Sequence, residues 1–542
     1  MFKAKRILSL VLAGTLLVGA LSGCSGNNNA QQSAAPAASQ APAASQAPAA
    51  SQAPAASQAP AVQPESGITG KLIIGTENEP GTIAPGRHGT LAGNFMNSMT
   101  HNGLFRATYD TLEPVPDLVE SYKAISDSVW EMKIYEGVMF HNGEEMTAED
   151  VVASLYYLRT FPEAASFQQS VKSSEVVDKY TFRIDTGEPN AMLFIDLTNH
   201  GNFIMPKSLI DAGHDFNLSP IGSGPYVFEE WKLGDYLKFT AFEDYFDKTR
   251  YPQIKDVTWR ILPEGSTRTI SLETGEIDYI VEVAAPDVPR LEAHPDIEVF
   301  KGVSTQHNHI LINTEGPIFS NINVRKAIDM GIDKEAVVSV GMDGLAEPIW
   351  NQSPINFAGV SSEGENTFDP EAAKELLAAE GVDPATLSFE IIVSNDARRR
   401  MAEVIQGNMA DLGIGVTINL TDFATYFDLT TEGNYEASIA NFTSASLLTF
   451  MYSVLHNENI GGLNRSRIYS DELTALIDEA IVTVDETDRL EVIGKATKLA
   501  NELTGQIPLF QAMITRAFNS KLVVPETGAA GELHINLMHW ND

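Results

Sequence analysis

Cysteine is almost absent from this 542-residue sequence, in which Cys24 is the only one. No second cysteine exists to form a disulfide with it. Basic residues are scarce as well, because 36 Lys and Arg stand against 72 Asp and Glu, giving a formal net charge of −36. Nucleic-acid binding depends on cationic side chains that neutralise phosphates, so this balance predicts no nucleic-acid partner.

Catalytic motifs are also missing. The sequence contains no Gly-x-Ser-x-Gly nucleophile elbow and no His-Glu-x-x-His zinc helix. Carboxylates are too abundant for the sequence alone to single out an acid–base pair. We therefore expect a protein that is not an enzyme and needs no cofactor, with a secreted hydrolase as the less favoured alternative.

The first 23 residues have the pattern of a secretory signal peptide. A basic head ending at Arg6 precedes an apolar run of about 15 residues, short of the ~20 that span a membrane, and Ser22-Gly23 follow. Cys24 completes a Leu-Ser-Gly-Cys quartet that resembles the bacterial lipobox, in which the cysteine thiol receives diacylglycerol. Two or more acyl chains anchor a protein stably. The pattern predicts lipidation of Cys24 and a location on the extracytoplasmic face of the cell membrane; the alternative is a buried or spare cysteine.

Residues 24–66 have a composition typical of a tether. After the cysteine the chain is nearly all Ala, Gln, Ser, Pro, Asn and Gly, and an Ala-Pro-Ala-Ala-Ser-Gln unit that begins at residue 35 recurs at 41–46, 47–52 and 53–58. Such a segment has little to bury, and its regular prolines favour extended polyproline II over a helix. We predict a disordered linker.

The remaining residues, from about 67, alternate strand and helix patterns. The sequence predicts strands at 71–76, 130–134, 181–185, 236–242, 256–262 and 309–313. It predicts a helix after a Thr147–Asp150 capping box, and another that begins with Asp369 as cap and Pro370 in first position and ends at Gly381. This alternation indicates an α/β, or mixed α+β, fold in which helices cover mixed sheets.

Several segments together resemble a known family. They are Glu79-Pro80, HNGLFR at 101–106, LEPVPDLVESY at 112–122, GVMFHNG at 137–143, MTAEDV at 146–151, GSGPY at 222–226, FEDYF at 242–246, FSNINVRKAI at 319–328 and IDK at 332–334. In their order and spacing they resemble the bacterial extracellular solute-binding proteins of peptide/nickel ABC transporters, family 5. The resemblance covers the chain from about residue 70 to 537.

The resemblance implies a periplasmic-binding-protein-like fold of two lobes joined by a hinge, with the first lobe enlarged by an extra subdomain. The first lobe would span 67–303 and be joined by 515–542, and the second lobe would span 304–514. Hinge torsion would be absorbed near 303–309. Ligand would stabilise the closed form through its higher affinity for that form.

Loops that follow strands on the facing sides of the lobes are the natural ligand-binding positions. The expected ligand-binding residues are Asn78, Glu79, His101, Asn102, His307, Asn308, Trp350, Asn441, Phe442, Thr443 and Ser444. His307 and His309, at i and i+2 on a strand, could together ligate a metal, although the favoured interpretation is polar residues beside the cleft, with no metal site. For Trp350, pocket lining and core packing are equally favoured.

One departure from the family concerns the cargo. In peptide-binding relatives an aspartate shortly after an aromatic that matches Phe442 pairs with the peptide amine, but here Ala445 or Ser444 takes its place, and no acidic residue occurs from 437 to 456. The arginine with which dipeptide carriers bind a carboxylate is replaced by an apolar residue near Ile392. These departures disfavour ordinary free-amine peptides, because a buried ammonium needs a partner.

The sequence therefore predicts a lipid-anchored, monomeric receptor that binds a peptide or peptide-like solute and delivers it to an ABC permease. An oligosaccharide, a modified peptide or a nickel chelate is the alternative solute. A sensory receptor with the same fold is the alternative role.

Overall fold

The computed structural model describes residues 68–87, 91–108, 112–165, 168–525 and 531–541. Its strands are β1 (Thr69–Thr76), β2 (Phe105–Ala107), β3 (Pro114–Pro116), β4 (Val119–Ala124), β5 (Val129–Ile134), β6 (Ser173–Val176), β7 (Thr181–Asp185), β8 (Tyr226–Lys232), β9 (Tyr236–Ala241), β10 (Ile254–Ile261), β11 (Tyr279–Ile280), β12 (Ile297–Ile312), β13 (Ala346–Pro348), β14 (Ser388–Val393), β15 (Gly415–Leu420), β16 (Ala437–Thr443), β17 (Ile507–Asn519), β18 (Leu522–Val523) and β19 (His539–Trp540).

The helices are α1 (Leu91–Thr100), α2 (Ala148–Leu158), α3 (Pro162–Ala165), α4 (Met192–Asp196), α5 (Lys207–Asp211), α6 (Gly265–Glu273), α7 (Val288–Glu292), α8 (Ile322–Met330), α9 (Lys334–Gly341), α10 (Pro370–Ala379), α11 (Asp396–Leu412), α12 (Phe423–Glu432), α13 (Leu447–Leu455), α14 (Asp471–Val482) and α15 (Glu486–Leu503). Short 3-10 helices lie at His200–Asn202, Ala285–Asp287, Pro384–Thr386, Asn457–Asn459 and Ile535–Leu537.

Local sequence signals account for the helix ends that were predicted. Thr147 and Asp150 form the capping box of α2, in which the backbone N–H of Thr147 donates to the Asp150 carboxylate at 2.8 Å. Asp369 caps α10, whose first residue is Pro370, and Gly381 follows with a φ of +69°. A left-handed residue just after a helix terminates it, and glycine adopts that conformation without steric cost. These helix predictions are confirmed.

One sheet of eleven strands runs through the molecule. Its order is β15-β14-β16-β12-β17-β11-β1-β10-β9-β8, and β13 pairs with β17 beside this path. The antiparallel pair β12 and β17 lies at the centre and is long enough, at 16 and 13 residues, to take part in both halves of the sheet. A separate four-stranded sheet has the order β4-β5-β7-β6.

Apolar side chains form distinct clusters on the two halves of the large sheet. One cluster joins β1, β9 and β10 to the C-terminal segment and contains Trp259 and Phe518. Another joins β12, β14, β16 and β17 to helices α8 to α11 and contains Ile391 and Leu509. A third fills the space between the four-stranded sheet and α2. The fold is therefore mixed α/β with two lobes, the first enlarged by the four-stranded subdomain, as expected.

The pairing of β12 with β17 is irregular near the middle of both strands. The register shifts between Val303 and His307 and again between Asn308 and His309. Gln511 of β17 bridges this stretch, because its Nε2 donates to the Ser304 carbonyl at 2.6 Å. The irregular stretch falls within residues 303–309, the segment in which hinge torsion is predicted. Such interruptions locally weaken the ladder and increase strand twist.

Some predictions fall outside the described residues. These are the signal peptide at 1–23, the lipidation of Cys24 and the linker that ends at residue 66. Within the part that the structure describes, no helix has both the length and the apolar character needed to cross a membrane.

Candidate functional site

The carboxyl ends of the parallel strands face the junction of the lobes from both sides. In the second lobe, β14 and β15 run parallel to β16, whose last residue Thr443 lies opposite Gln306 near the middle of β12. In the first lobe, β10 and β11 run parallel to β1, and Ile280 at the end of β11 lies opposite Ala517. Ligands of open α/β sheets bind outside such carboxyl ends. We call these two borders the first-lobe edge and the second-lobe edge.

Carboxylates dominate the first-lobe edge. Glu77 follows β1, and its carboxylate accepts from Nη2 of the buried Arg268 at 3.2 Å. Glu282 follows β11; the residue as a whole is exposed, but its carboxyl group is partly desolvated by neighbouring protein atoms. Burial raises the pKa of Glu282 above its ordinary value, and the negative charge of Glu77 raises it further, although Arg268 and Arg516 act in the opposite direction. The two carboxylates are therefore close enough to repel each other.

Asn78 and Glu79, both predicted to bind ligand, lie beside Glu77 but differ in their surroundings. Asn78 is exposed. The Glu79 carboxylate accepts from Trp231 Nε1 at 2.8 Å and from the backbone N–H of Gly234 at 2.9 Å. Glu79 thus connects the loop after β1 to the β8–β9 hairpin, which is a structural contact. Its role in binding remains a prediction.

His101 is buried and packs inside the first lobe. Its Nδ1 lies 2.8 Å from Thr100 Oγ1, and its ring stacks on Phe203. The Gly222-Ser-Gly224 turn presses against this segment, since a Cβ at Gly222 would lie 2.4 Å from the His101 ring and one at Gly224 would lie 2.4 Å from the Thr100 backbone. The glycines are required by this close approach. The motif is therefore a tight turn that packs against the end of α1.

Asn102 lies at the centre of a buried hydrogen-bond network. Its Nδ2 donates to Asp117 at 2.9 Å and to the Tyr245 hydroxyl at 3.2 Å, while its Oδ1 accepts from Ser223 at 3.2 Å. Asp117 in turn pairs with Arg250 at 2.7 Å. The structure therefore uses all of the Asn102 amide in internal contacts.

His307 and His309 point to the same side of β12, as their spacing requires, but both are buried. Their Nδ1 atoms are 3.0 Å apart, and His307 Nε2 lies 3.1 Å from the Asn351 carbonyl. Burial lowers the pKa of His307 to about 4 and holds that of His309 well below its usual range. The geometry is that of a neutral, hydrogen-bonded pair. The described residues contain no group of three or more metal-ligating side chains.

The second-lobe edge brings several predicted residues together. Asn308 of β12 lies directly opposite Asn441 of β16, and Gln306 lies opposite Thr443. Asn441 and Thr443 are exposed, and Asn308 is half-buried. These residues form a polar row on one face at the border of the second lobe. We call it the polar row.

Phe442 and Ser444 alternate with the polar row and turn inward. The Phe442 ring packs edge-on against Phe450 of α13 at 5.9 Å, and Ser444 is buried, with its hydroxyl donating to the Ser446 carbonyl. The structure therefore places Asn441 and Thr443 where a solute could reach them. Phe442 and Ser444 help to fix the direction in which the strand leaves the sheet.

Trp350 lies over a buried ion pair. Lys334 Nζ is 2.8 Å from Asp329 Oδ1, both side chains are fully buried, and the ammonium lies 5.5 Å from the centre of the Trp350 ring. Burial lowers the pKa of Lys334, and Asp329 opposes that shift. The Trp350 indole N–H has no acceptor among the described residues. Trp350 thus combines a packing contact with an unused donor.

Arg398 is a residue of the second-lobe edge that sequence reasoning did not select. It lies in the first turn of α11, directly after β14, and its Nη2 donates to Asn441 Oδ1 at 2.7 Å. Its Nη1 donates to Ser394 Oγ at 2.9 Å, and its Cζ lies 5.4 Å from the centre of the Tyr426 ring. A run of three arginines on a helix does not reveal which one faces a cleft. The available signal was its position a few residues after the apolar run from Phe389 to Val393, which was not among the predicted strands.

Two carboxyl edges that face each other across a pair of connecting strands define a two-lobed solute-binding protein. The chain belongs to the bacterial extracellular solute-binding proteins, family 5, because the model of that family's middle region matches residues 113–462. The resemblance noted in the sequence is thereby confirmed, and the chain is a substrate-binding protein of the ABC-importer type.

Individual relatives differ in what their names say they bind. The chain is 27% identical to heme-binding protein A of Haemophilus influenzae over 454 residues, which cover 77% of this chain and 82% of that protein. It is 26% identical to oligopeptide-binding protein AppA of Bacillus subtilis over 512 residues, which cover 88% of each. It is 24% identical to glutathione-binding protein GsiB of Escherichia coli over 440 residues, which cover 77% and 85%.

Solved structures share the fold. HbpA2 from Haemophilus parasuis superimposes with a TM-score of 0.81 at 23% identity, covering 87% of this chain and all of that one. AppA from Bacillus subtilis in complex with a nonapeptide gives a TM-score of 0.67 at 22% identity, covering 88% of this chain and all of that one.

Proposed function

We propose that this protein captures a peptide or peptide-like solute between its lobes and delivers it to the membrane permease of an ABC importer. The observation that carries the proposal is the placement of both carboxyl edges at the junction of the lobes, with Asn441 and Thr443 exposed on one side and Asn78 on the other. Loop residues at such edges are the usual ligand contacts of α/β proteins.

The peptide-like class is supported by the relatives and by the polarity of the edges. Two of the three relatives described above carry names that specify an oligopeptide or glutathione. The polar row offers amide and hydroxyl groups of the kind that hydrogen-bond to a peptide backbone. A nickel chelate is less well supported, because burial of His307 and His309 leaves neither ring accessible. The absence of acids from 437 to 456 favours solutes without a free amine at this edge.

The lobes would move about the interrupted part of β12 and β17. We assign residues 67–303 and 515–542 to the first lobe and residues 304–514 to the second. Separate apolar clusters and the register shifts between Val303 and His309 support this division. Closure would be a population shift, so a solute stabilises the closed form only as far as it binds that form more tightly.

We also propose that the chain is tethered to the extracytoplasmic face of the membrane through lipidated Cys24. A tether of some 40 residues would keep the receptor at high local concentration near its permease without any further contact. Cys24→Ala is expected to move the protein from the membrane fraction to the soluble fraction. An unchanged distribution would contradict lipid anchoring at this residue.

The direct test is the identity of the solute. We expect mass spectrometry of the purified protein to reveal a co-purifying peptide or modified peptide. Isothermal titration with peptides of two to nine residues, oxidised and reduced glutathione, haem, an oligosaccharide series and nickel–histidine should then show saturable binding to the first two groups. Binding of haem, glycans or the chelate alone would overturn the peptide-like class, and turnover of any compound would overturn the transport role.

Uptake separates the receptor from a sensor. In a strain that lacks this protein, import of the identified solute should fall. Transcriptional responses to the solute should persist when the solute is supplied inside the cell at a saturating concentration. Normal uptake with a lost response would favour a sensory role.

A further inference from the structure

We propose that Arg398 binds an anionic group of the solute, a carboxylate in the case of a peptide, at the second-lobe edge. The proposal rests on the proposed function and identifies which end of the solute the second lobe recognises.

The geometry holds the Arg398 guanidinium at the border of the polar row. Asn441, near the end of β16, accepts from Nη2, and Ser394, directly after β14, accepts from Nη1. The Tyr426 ring lies at 5.4 Å from the guanidinium carbon, a cation–π contact that supports it from one side. Two strands and one helix therefore fix the orientation of a single cation.

Most of the hydrogen-bonding capacity of this guanidinium remains available. An arginine has five N–H donors, and only two of those of Arg398 have a partner among the described residues. Neither partner is charged, and Arg398 forms no ion pair with any carboxylate in the described part of the chain, although this chain has twice as many acids as bases. Asp396 and Glu403 on the same helix pair with Arg399 instead. An oriented arginine with free donors is suited to a planar oxyanion.

The position differs from that of the carboxylate-binding arginine implied by the family resemblance. That place lies near Ile392, which is 2% exposed and packs with Leu311, Tyr426 and Tyr435 in an apolar cluster. No cation could occupy it without loss of this packing. Arg398, one turn into the following helix, supplies a cation at the same strand end by a different route.

The opposite edge reinforces the assignment. Glu77 and Glu282 place two carboxylates at the first-lobe edge, and the segment from 437 to 456 contains no acid that would compete for Arg398. At the first-lobe edge, by contrast, Arg268 is already paired with Glu77. The free carboxylate of a peptide-like solute would be oriented toward Arg398.

The test uses isothermal titration of the full chain with peptides of two to nine residues in two forms. The acid form has a free C-terminal carboxylate, and the amide form has that carboxylate blocked as an amide. We expect wild type to bind acids at least about 10-fold more tightly, since a hydrogen bond to a charged group contributes about 1.5–3 kcal/mol. Arg398→Gln should remove this preference by weakening acids and not amides. Arg398→Lys should retain part of the preference for the acid form. The positive charge remains, but the planar guanidinium that binds a carboxylate with two N–H groups is lost.

Arg400→Gln is the matched control. It removes the same charge from the same helix, and Arg400 is exposed, with a single hydrogen bond, to the Val340 carbonyl, among the described residues. The ratio of its affinity for the acid form to its affinity for the amide form should equal that of wild type. Melting temperatures of all variants without ligand establish that each one folds.

The outcomes separate the two proposals. Equal binding of acids and amides by wild type, or an acid preference that survives in Arg398→Gln, would overturn the role of Arg398 and leave the peptide-receptor function intact. Failure of wild type to bind any peptide acid or amide would overturn the peptide-like function, and the role of Arg398 in it would fall as well.

Discussion

The two edges that face each other between the lobes are built by the same topological rule but carry different charged groups. The first-lobe edge carries Glu77 and Glu282, whose carboxylates crowd each other. The second-lobe edge carries neutral amides and hydroxyls around Arg398. The fold thus determines where a solute contacts the protein, whereas a few loop and helix-start residues determine which end of the solute each lobe accepts.

The largest expected effect concerns the buried cation of the second lobe, in contrast to the solvent-accessible Arg398. Lys334 is also in this lobe, but its ammonium is fully buried against Asp329. Asp329→Ala would leave that charge without a partner, so we expect a loss of about 3–5 kcal/mol in the free energy of unfolding, measured by chemical denaturation. In solution conditions where the variant stays folded, its acid-to-amide preference should be unchanged.

Glu371→Ala is the control for this prediction. It removes the exposed partner of Lys374, which lies 2.9 Å away, and exposed pairs contribute less than about 1 kcal/mol. A loss as small for Asp329→Ala as for Glu371→Ala would show that Lys334 is not held as the structure indicates.

A second prediction concerns the histidines beneath the second-lobe edge. His307 has a pKa of about 4 in the folded chain, below its ordinary 6.5, so the unfolded chain binds more protons between these values. Stability should therefore fall as the pH drops from about 6.5 toward 4, with His307 alone contributing up to about 3 kcal/mol.

His307→Gln removes this titration and retains a hydrogen-bonding side chain. Denaturation midpoints at pH 7.5, 5.5 and 4.5 should decline less steeply in the variant than in wild type, whatever its stability at pH 7.5. Parallel pH profiles for the two proteins would contradict a buried neutral histidine at this position.

Much of the scaffold could be predicted from the sequence, because its signals are local. The Thr147–Asp150 capping box and the Asp369-Pro370 helix start act within one turn, and alternation of apolar residues marked several strands. The prediction of two lobes and of their order along the chain rested on the family resemblance. Non-local pairing such as that of β12 with β17 has no local signature in the sequence.

The site was harder to predict, because exposure depends on which elements pack above a residue. His101, Asn102 and His307 are polar residues near strand or helix ends, yet the structure uses them inside the lobes. Arg398 was hidden among three consecutive arginines. Only the three-dimensional position of Asn441 and Ser394 distinguishes it from Arg399 and Arg400.

A third prediction separates structural from binding carboxylates at the first-lobe edge. Glu79→Ala removes the acceptor of Trp231 Nε1 and of the Gly234 N–H, so we expect a loss of about 1–3 kcal/mol in the free energy of unfolding. Glu79→Gln keeps an acceptor oxygen in place, so its free energy of unfolding should fall by less. Unchanged stability in both variants, combined with weakened solute binding in both, would instead support the ligand-binding role that the sequence predicts for Glu79.

The smallest expected effect tests the crowding of charge at the first-lobe edge. Because the folded chain raises the pKa of Glu282 above its ordinary 4.5, ionised Glu282 destabilises the fold above the raised pKa, and this cost disappears as the pH falls below 4.5. Solvent screens this exposed carboxylate, so Glu282→Gln should stabilise the protein by less than about 1 kcal/mol at pH 7 and by nothing measurable at pH 4. In a Glu77→Gln background, the stabilisation that Glu282→Gln gives at pH 7 should be smaller, because the neighbouring negative charge is gone. Melting curves at both pH values measure each step, and a stabilisation that is equal at pH 4 and pH 7 would mean that the folded chain does not raise the pKa of Glu282.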